Sequence, residues 1–192
     1  MNKTRLEAFS DGVLAIIVTI MVLELKVPHG ARWADLQPLL PVFTSYVLSF
    51  VLVIIYWGNH HHLMHAAQKV NANIILANAH LLFWLSLVPF TTGWMGENEF
   101  GPDTVALYAI NLLLCGAAYF ILQKTIERSF KADGELVEGL NKHSKKGVVS
   151  QVIYLLAIPA AYVHPLIAGI LFAITAAMWI VPARELEKAI EK

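Results

Sequence analysis

Four histidines crowd into six positions, His60, His61, His62 and His65. His61 and His65 are four apart and share one helix face, and His62 lies three before His65. That spacing can hold a metal ion. Imidazole also titrates near neutrality, so the cluster could answer to pH. A membrane di-iron hydroxylase or desaturase needs several separated histidine clusters. Of the 8 histidines only His80, close to this group, falls in a plausible second position, and no His-Glu-x-x-His occurs. A structural or interfacial role is the simplest reading, a regulatory proton or metal site the next, and catalysis the last. No glycine-rich phosphate loop and no Ser/His/Asp arrangement stands out. The chain reads as a non-enzyme with neither cofactor nor metal.

A second set of reactive groups sits where an apolar segment begins. The stretch Arg5 to Pro28 opens with Arg5, Glu7, Ser10 and Asp11, runs uncharged from Gly12 to Leu23, and closes with Glu24 and Lys26. Ionisable groups near hydrocarbon cost about 2.5–3.5 kcal/mol each at a helix centre, so they face a protein interior or a wet cavity. A helix of about 22 residues spans roughly 30 Å. The segment is therefore a spanning helix that other helices or water must shield. Paired or hydrogen-bonded charges are tolerable there, and unpaired ones are not. Arg5, Ser10 and Asp11 are expected to join polar groups of the next two helices in one buried network. The candidates are Asn59, His60, His61, Asn78 and Trp84. Gly12, Ile16, Ile20, Leu23 and Val27 step by four, four, three and four along one stripe, with Thr19 beside it. By spacing alone, simple packing explains such a stripe better than a pore. Asp11 lies well round the helix from it, towards neighbouring helices of its own subunit. Glu24 is expected to pair with Lys26 or Arg32.

The elements that must position these groups follow from composition. Of 192 residues 57% are hydrophobic and 15% charged, which places the chain outside the soluble class. A formal net charge of zero offers no basic surface for nucleic acid. The single Cys115 excludes an internal disulfide and reads as a packing residue. The N-terminus lacks a signal peptide's short apolar core and cleavage site, so the first helix is expected to be retained. The reading is all-α, one domain over 1–192, with six transmembrane helices at about 5–27, 39–64, 73–94, 104–122, 148–163 and 166–181. Pro38 and Pro41 suit the start of the second helix. Pro89 should kink or end the third, and Pro159 should disturb the fifth. A polar connection is expected over 123–147, and the charged tail from Arg184 could extend as a surface helix. With both termini cytoplasmic, twelve of the 14 Lys and Arg residues lie inside, leaving only Lys26 and Arg32 outside. Glu97, Glu99 and Asp103 then form an outer loop, most simply a solvated one. The expected location is an inner or plasma membrane, within a lipid bilayer.

Arg5, Phe9, Ser10 and Asp11 make R-x-x-x-F-S-D, followed by G-V-x-A-I-x-x-T and L-E-L-K-V-P. This resembles the first-helix signature of the transmembrane protein 175 family of potassium channels. The W-G-N-H-H segment and the N…W-x-S-L-x-P-F-T pattern resemble that family's second and third helices. F-S-D occurs once, as in the single-repeat prokaryotic form. The resemblance implies a homotetramer with the first helix around a central pore, and potassium ions as the permeant species. It implies a structural role for the motif residues Arg5, Phe9, Ser10 and Asp11. It also implies constrictions at Ile16, Ile20 and Leu23, and a part in cation coordination for Thr19. Ala15 stands where some relatives carry Ser, leaving Thr19 as the one hydroxyl near the constriction. No T-V-G-Y-G-like filter is present, so selectivity would arise in a narrow, partly hydrophobic path, and apolar rings can gate by dewetting. A secondary transporter or a histidine-based membrane enzyme are the other readings.

Overall fold

Asn2 opens the first helix, its side chain accepting from the Arg5 N–H at 3.0 Å. Asn71 does the same for the Ile74 N–H at 2.9 Å. The computed structural model describes residues 2–67, 69–129 and 134–180, the side chains of 134–143 excepted. It contains α1 (Lys3–Leu23), a 3-10 helix (Trp33–Leu39), α2 (Leu40–Ala66), α3 (Ala72–Ser86), α4 (Val88–Glu97), α5 (Pro102–Glu127), α6 (Gly134–Val163) and α7 (Pro165–Ile180). Pro41, Pro89 and Pro102 sit in the first turns of α2, α4 and α5, where no N–H is required.

Five apolar helical stretches are long enough to cross a membrane: Lys3–Leu23, Trp33–Ala66, Ala72–Glu97, Pro102–Glu127 and Ser144–Val163. Pro165–Ile180 is a shorter sixth. The protein is all-α and polytopic, with six transmembrane helices, α3 and α4 forming one broken span. The break falls at Leu87, where Pro89 lacks an N–H and its ring excludes the carbonyl four residues back.

Three boundaries differ from the sequence expectation. α1 ends at Leu23, not near residue 27, because Glu24 closes the last turn onto the Met21 and Val22 carbonyls. Residues approaching Pro28 are biased away from helix, so Val27 leaves the stripe. The connection expected over 123–147 is largely helical, since α5 continues to Glu127 and α6 begins at Gly134. Polarity there ends a membrane span without ending a helix, because Lys, Glu, Gln and Leu are good helix formers in water. Pro159 lies inside a continuous α6. The tail from Arg184 lies outside the described residues.

The helices enclose two apolar cores. One joins α1, α2, α3 and α5 through Leu6, Leu14, Ile17, Met21, Leu63, Leu81, Leu85 and Leu122. The other joins α2, α4, α5, α6 and α7 through Leu52, Met95, Tyr108, Leu112, Tyr154 and Phe172. α1 packs on α2, α3 and α4. A buried polar knot ties the second core together. The Ser49 and Tyr108 hydroxyls meet at 2.8 Å, and the Thr92 hydroxyl donates to Ser49 Oγ at 2.7 Å. Gly96 allows the approach of α4 to α2, because a Cβ there would lie 2.7 Å from Val42 Cα and collide with Ser45 Oγ. Small residues at such crossings let membrane helices pack backbone to backbone.

Gly96→Leu should separate these two helices. Overpacking of this kind costs about 1–3 kcal/mol. A lower thermal unfolding midpoint in detergent is the expected outcome, checked against Gly169→Leu, whose added Cβ meets nothing within 4 Å.

Candidate functional site: the first helix and its polar anchor

α1 has two unlike faces. Leu6, Ser10, Leu14, Ile17 and Met21 recur at four, four, three and four, and all are buried. Ser10, the one polar residue among them, needs partners. Its hydroxyl donates to the Leu6 carbonyl at 2.9 Å and accepts from Asn78 Nδ2 at 2.9 Å. Asn78 Oδ1 in turn lies 2.7 Å from His60 Nε2. A carboxamide oxygen only accepts, so His60 carries its proton on Nε2. One chain of hydrogen bonds thus crosses from α1 through α3 to α2, with all three side chains buried.

Asp11, next along the helix, turns to α2 and accepts from Trp57 Nε1 at 2.9 Å. The two bonds from adjacent residues hold α1 against rotation. Ser10 and Asp11 point about 100° apart on the helix, and each engages a neighbouring element of the same chain.

The network is smaller than the sequence suggested. Arg5 is exposed, and among the described residues its guanidinium has no ion pair, so it does not meet Asp11. Asn59 instead donates to the Ile55 carbonyl at 2.8 Å, and its own carbonyl accepts from the Tyr119 hydroxyl at 3.0 Å. Trp84 donates to His80 Nε2 at 2.9 Å, one turn away on its own helix. His61 faces outward beside Trp57, its ring centroid 6.4 Å from the indole. Phe9 is 60% exposed. Three of the nine expected residues, Ser10, His60 and Asn78, form the chain, and Asp11 is fixed by a residue outside the candidate set. Trp57 carried a readable signal. It is the one indole donor in α2, placed three residues before His60 and therefore at the depth of Asp11.

The opposite face of α1 carries the remaining candidates. Ile16, Ile20 and Leu23 are 58%, 43% and 72% exposed. Beside them runs a second exposed row of small residues, Ala8, Gly12, Ala15 and Thr19. The Thr19 hydroxyl donates to the Ala15 carbonyl at 2.7 Å, which leaves its oxygen lone pairs turned outward. Open grooves of about 380 Å³ and 450 Å³ flank α1. The first is lined by Asp11, Ala15, Val18, Ile54 and Trp57, and the second by Ile16, Ile20, Glu24, Pro89 and Phe90.

At the C-terminal end of α1 the charges pair otherwise than expected. Lys26 bonds Glu97 of α4 at 2.7 Å, and Arg32 turns to Asp35. The Glu97 hydrogen bond, then its charge, holds the Lys26 ammonium above its usual pKa. Glu24 makes no close ion pair with either cation, although its charge adds to the pull on Lys26, and its side chain lies over Gly93. In the first turn of α5, Asp103 accepts from the Tyr162 hydroxyl at 3.0 Å, and Glu99, in the loop before it, is exposed.

A six-span helical membrane protein whose first helix is locked by a Ser–Asn–His chain is the class that fold and site define. A family profile described as "Endosomal/lysosomal potassium channel TMEM175" matches residues 5–89. A potassium channel of Chryseobacterium sp. (strain P1-3) is 49% identical over 193 residues, covering 100% of both chains. A potassium channel of Streptomyces collinus is 36% identical over 128 residues, 62% of each chain. The crystal structure of a lysosomal potassium-selective channel TMEM175 homologue from Chamaesiphon minutus superposes with a TM-score of 0.84 at 23% identity, covering 94% of this chain and 97% of that one. The chain belongs to the TMEM175 family.

Asn78→Leu should leave the buried His60 Nε2–H without its acceptor and Ser10 Oγ without its donor. A buried polar group left unsatisfied costs about 1–3 kcal/mol, so a clear fall in unfolding midpoint is expected. Trp57→Phe should cost less, under about 1 kcal/mol, because Asp11 remains exposed. Unfolding curves of the two variants in the same detergent check the order.

Proposed function

We propose that the protein is the subunit of a potassium-permeable cation channel, with four copies meeting along α1. The observation that carries this reading is the composition of the exposed face of α1. A helix turned to lipid gains nothing from Ala8, Gly12, Ala15 and Thr19 in a row, whereas small residues bring helices together in a membrane. Beside that row, Ile16, Ile20 and Leu23 would project to the axis as successive apolar rings, and the two grooves flanking α1 would receive neighbouring copies. The names of the relatives support the transport of potassium.

In this reading the chemistry of conduction is spare. Ile16 side chains around the axis exclude a hydrated ion by dewetting, and widening the ring wets the path. Thr19 lies one turn further along, with its proton spent on the Ala15 carbonyl. Its oxygen therefore offers lone pairs to a passing cation. With one hydroxyl per subunit near the constriction, potassium is favoured weakly over sodium. The anchor of Ser10, Asn78 and His60 acts indirectly, by fixing which residues face the axis. The protein lies in an inner or plasma membrane, both termini cytoplasmic, following the distribution of Lys and Arg.

A secondary transporter is the second reading, favoured by the broken span at Leu87, since transporters build sites at interrupted helices.

Potassium and sodium fluxes in liposomes of pure protein test the proposal. Ion-driven current that rises linearly with driving force supports a channel, and saturating exchange would replace it by a carrier. Ile16→Asn should raise basal potassium flux severalfold. Thr19→Val should reduce discrimination between potassium and sodium while leaving assembly intact. Unchanged flux in Ile16→Asn would remove this residue from the gate.

A further inference from the structure

The histidine cluster divides in the fold. His60 is buried and committed to Asn78. His61 and His65 are exposed on the outer face of α2, within its last two turns. Their ring centroids stand 4.5 Å apart. Two imidazoles on one tetrahedral ion, with metal–nitrogen bonds of about 2.0–2.1 Å, place their centroids roughly 5 Å apart. The pair is thus within half an ångström or so of the separation that shared coordination needs. Both rings sit in successive turns of a regular helix, so the backbone has already fixed their spacing. The Lys3 ammonium donates to the His65 carbonyl at 3.1 Å. Among the described residues no three of His, Cys, Asp and Glu gather to hold a metal. A site here has two protein ligands and leaves its other positions to water.

We propose that His61 and His65 form a binding site for a divalent transition-metal ion of the kind that prefers imidazole, such as nickel, copper or zinc, and not magnesium or calcium. The ion clips together the last two turns of α2, one turn beyond the Trp57 that holds Asp11. Metal occupancy therefore stiffens the end of the helix that braces α1. The site does not depend on the channel reading, because its ligands come from one helix of one chain.

The test is calorimetric titration of untagged, full-length protein in detergent with nickel chloride. One saturable equivalent per chain is expected, with magnesium chloride giving none. His61→Ala and His65→Ala should each weaken nickel binding at least tenfold, and His164→Ala, remote in sequence and in the turn between α6 and α7, should leave it unchanged. Copper(II) added to the unmodified protein should show an electron paramagnetic resonance spectrum with nitrogen coordination, a readout that does not depend on any variant folding. Amide exchange over Leu63–Ala66 should slow when nickel is bound. Absence of a saturable equivalent, or one that survives loss of both histidines, would overturn the proposal.

Discussion

The hydrogen bonds from Ser10 through Asn78 to His60 are the constraint on which the rest depends. An apolar helix among other apolar helices has little to choose between rotations, because lipid and side chains are alike in polarity. A buried hydroxyl changes that. Turning α1 by one residue carries Ser10 away from Asn78 and leaves the buried Asn78 amide N–H without its acceptor. Asp11, bonded to Trp57, adds a second fixed direction. Rotation of α1 is therefore set by polar chemistry at its N-terminal half. The exposure of Ile16 and Ile20 further along is a consequence of it.

The same economy appears in the other core. Ser49, Thr92 and Tyr108 satisfy one another inside an apolar setting, and Gly96 makes room for the contact that brings them together. Each core thus has its own polar lock, one through α1, α2 and α3, the other through α2, α4 and α5. α2 takes part in both. It also bears the exposed histidine pair at its end, so one helix links the two locks and the outer face.

Much of this was legible from residue types. The spans followed from uncharged runs, and the break in the third from Pro89. Ser10 and Asp11 at the mouth of an apolar segment demanded partners on other helices, and both have them. What could not be read was which partner. Asn59, His60 and His61 are adjacent in sequence, yet a helix sends them in three directions, and only His60 reaches Asn78. Trp84 had a nearer acceptor in His80. Lys26 found Glu97, far away in sequence, because the ends of α1 and α4 lie side by side. The connection over 123–147 was misjudged for a simpler reason. Loss of apolar character marks the membrane surface, and a helix can cross that surface without ending.

The two ends of α1 are held by different kinds of force. Near its beginning the bonds of Ser10 are buried and little affected by dissolved ions. Past its end the tie is a single exposed contact between Lys26 and Glu97, open to water and weakened by salt. The tie at the far end is thus the weaker of the two, and it loosens further as ionic strength rises on the Lys26 side.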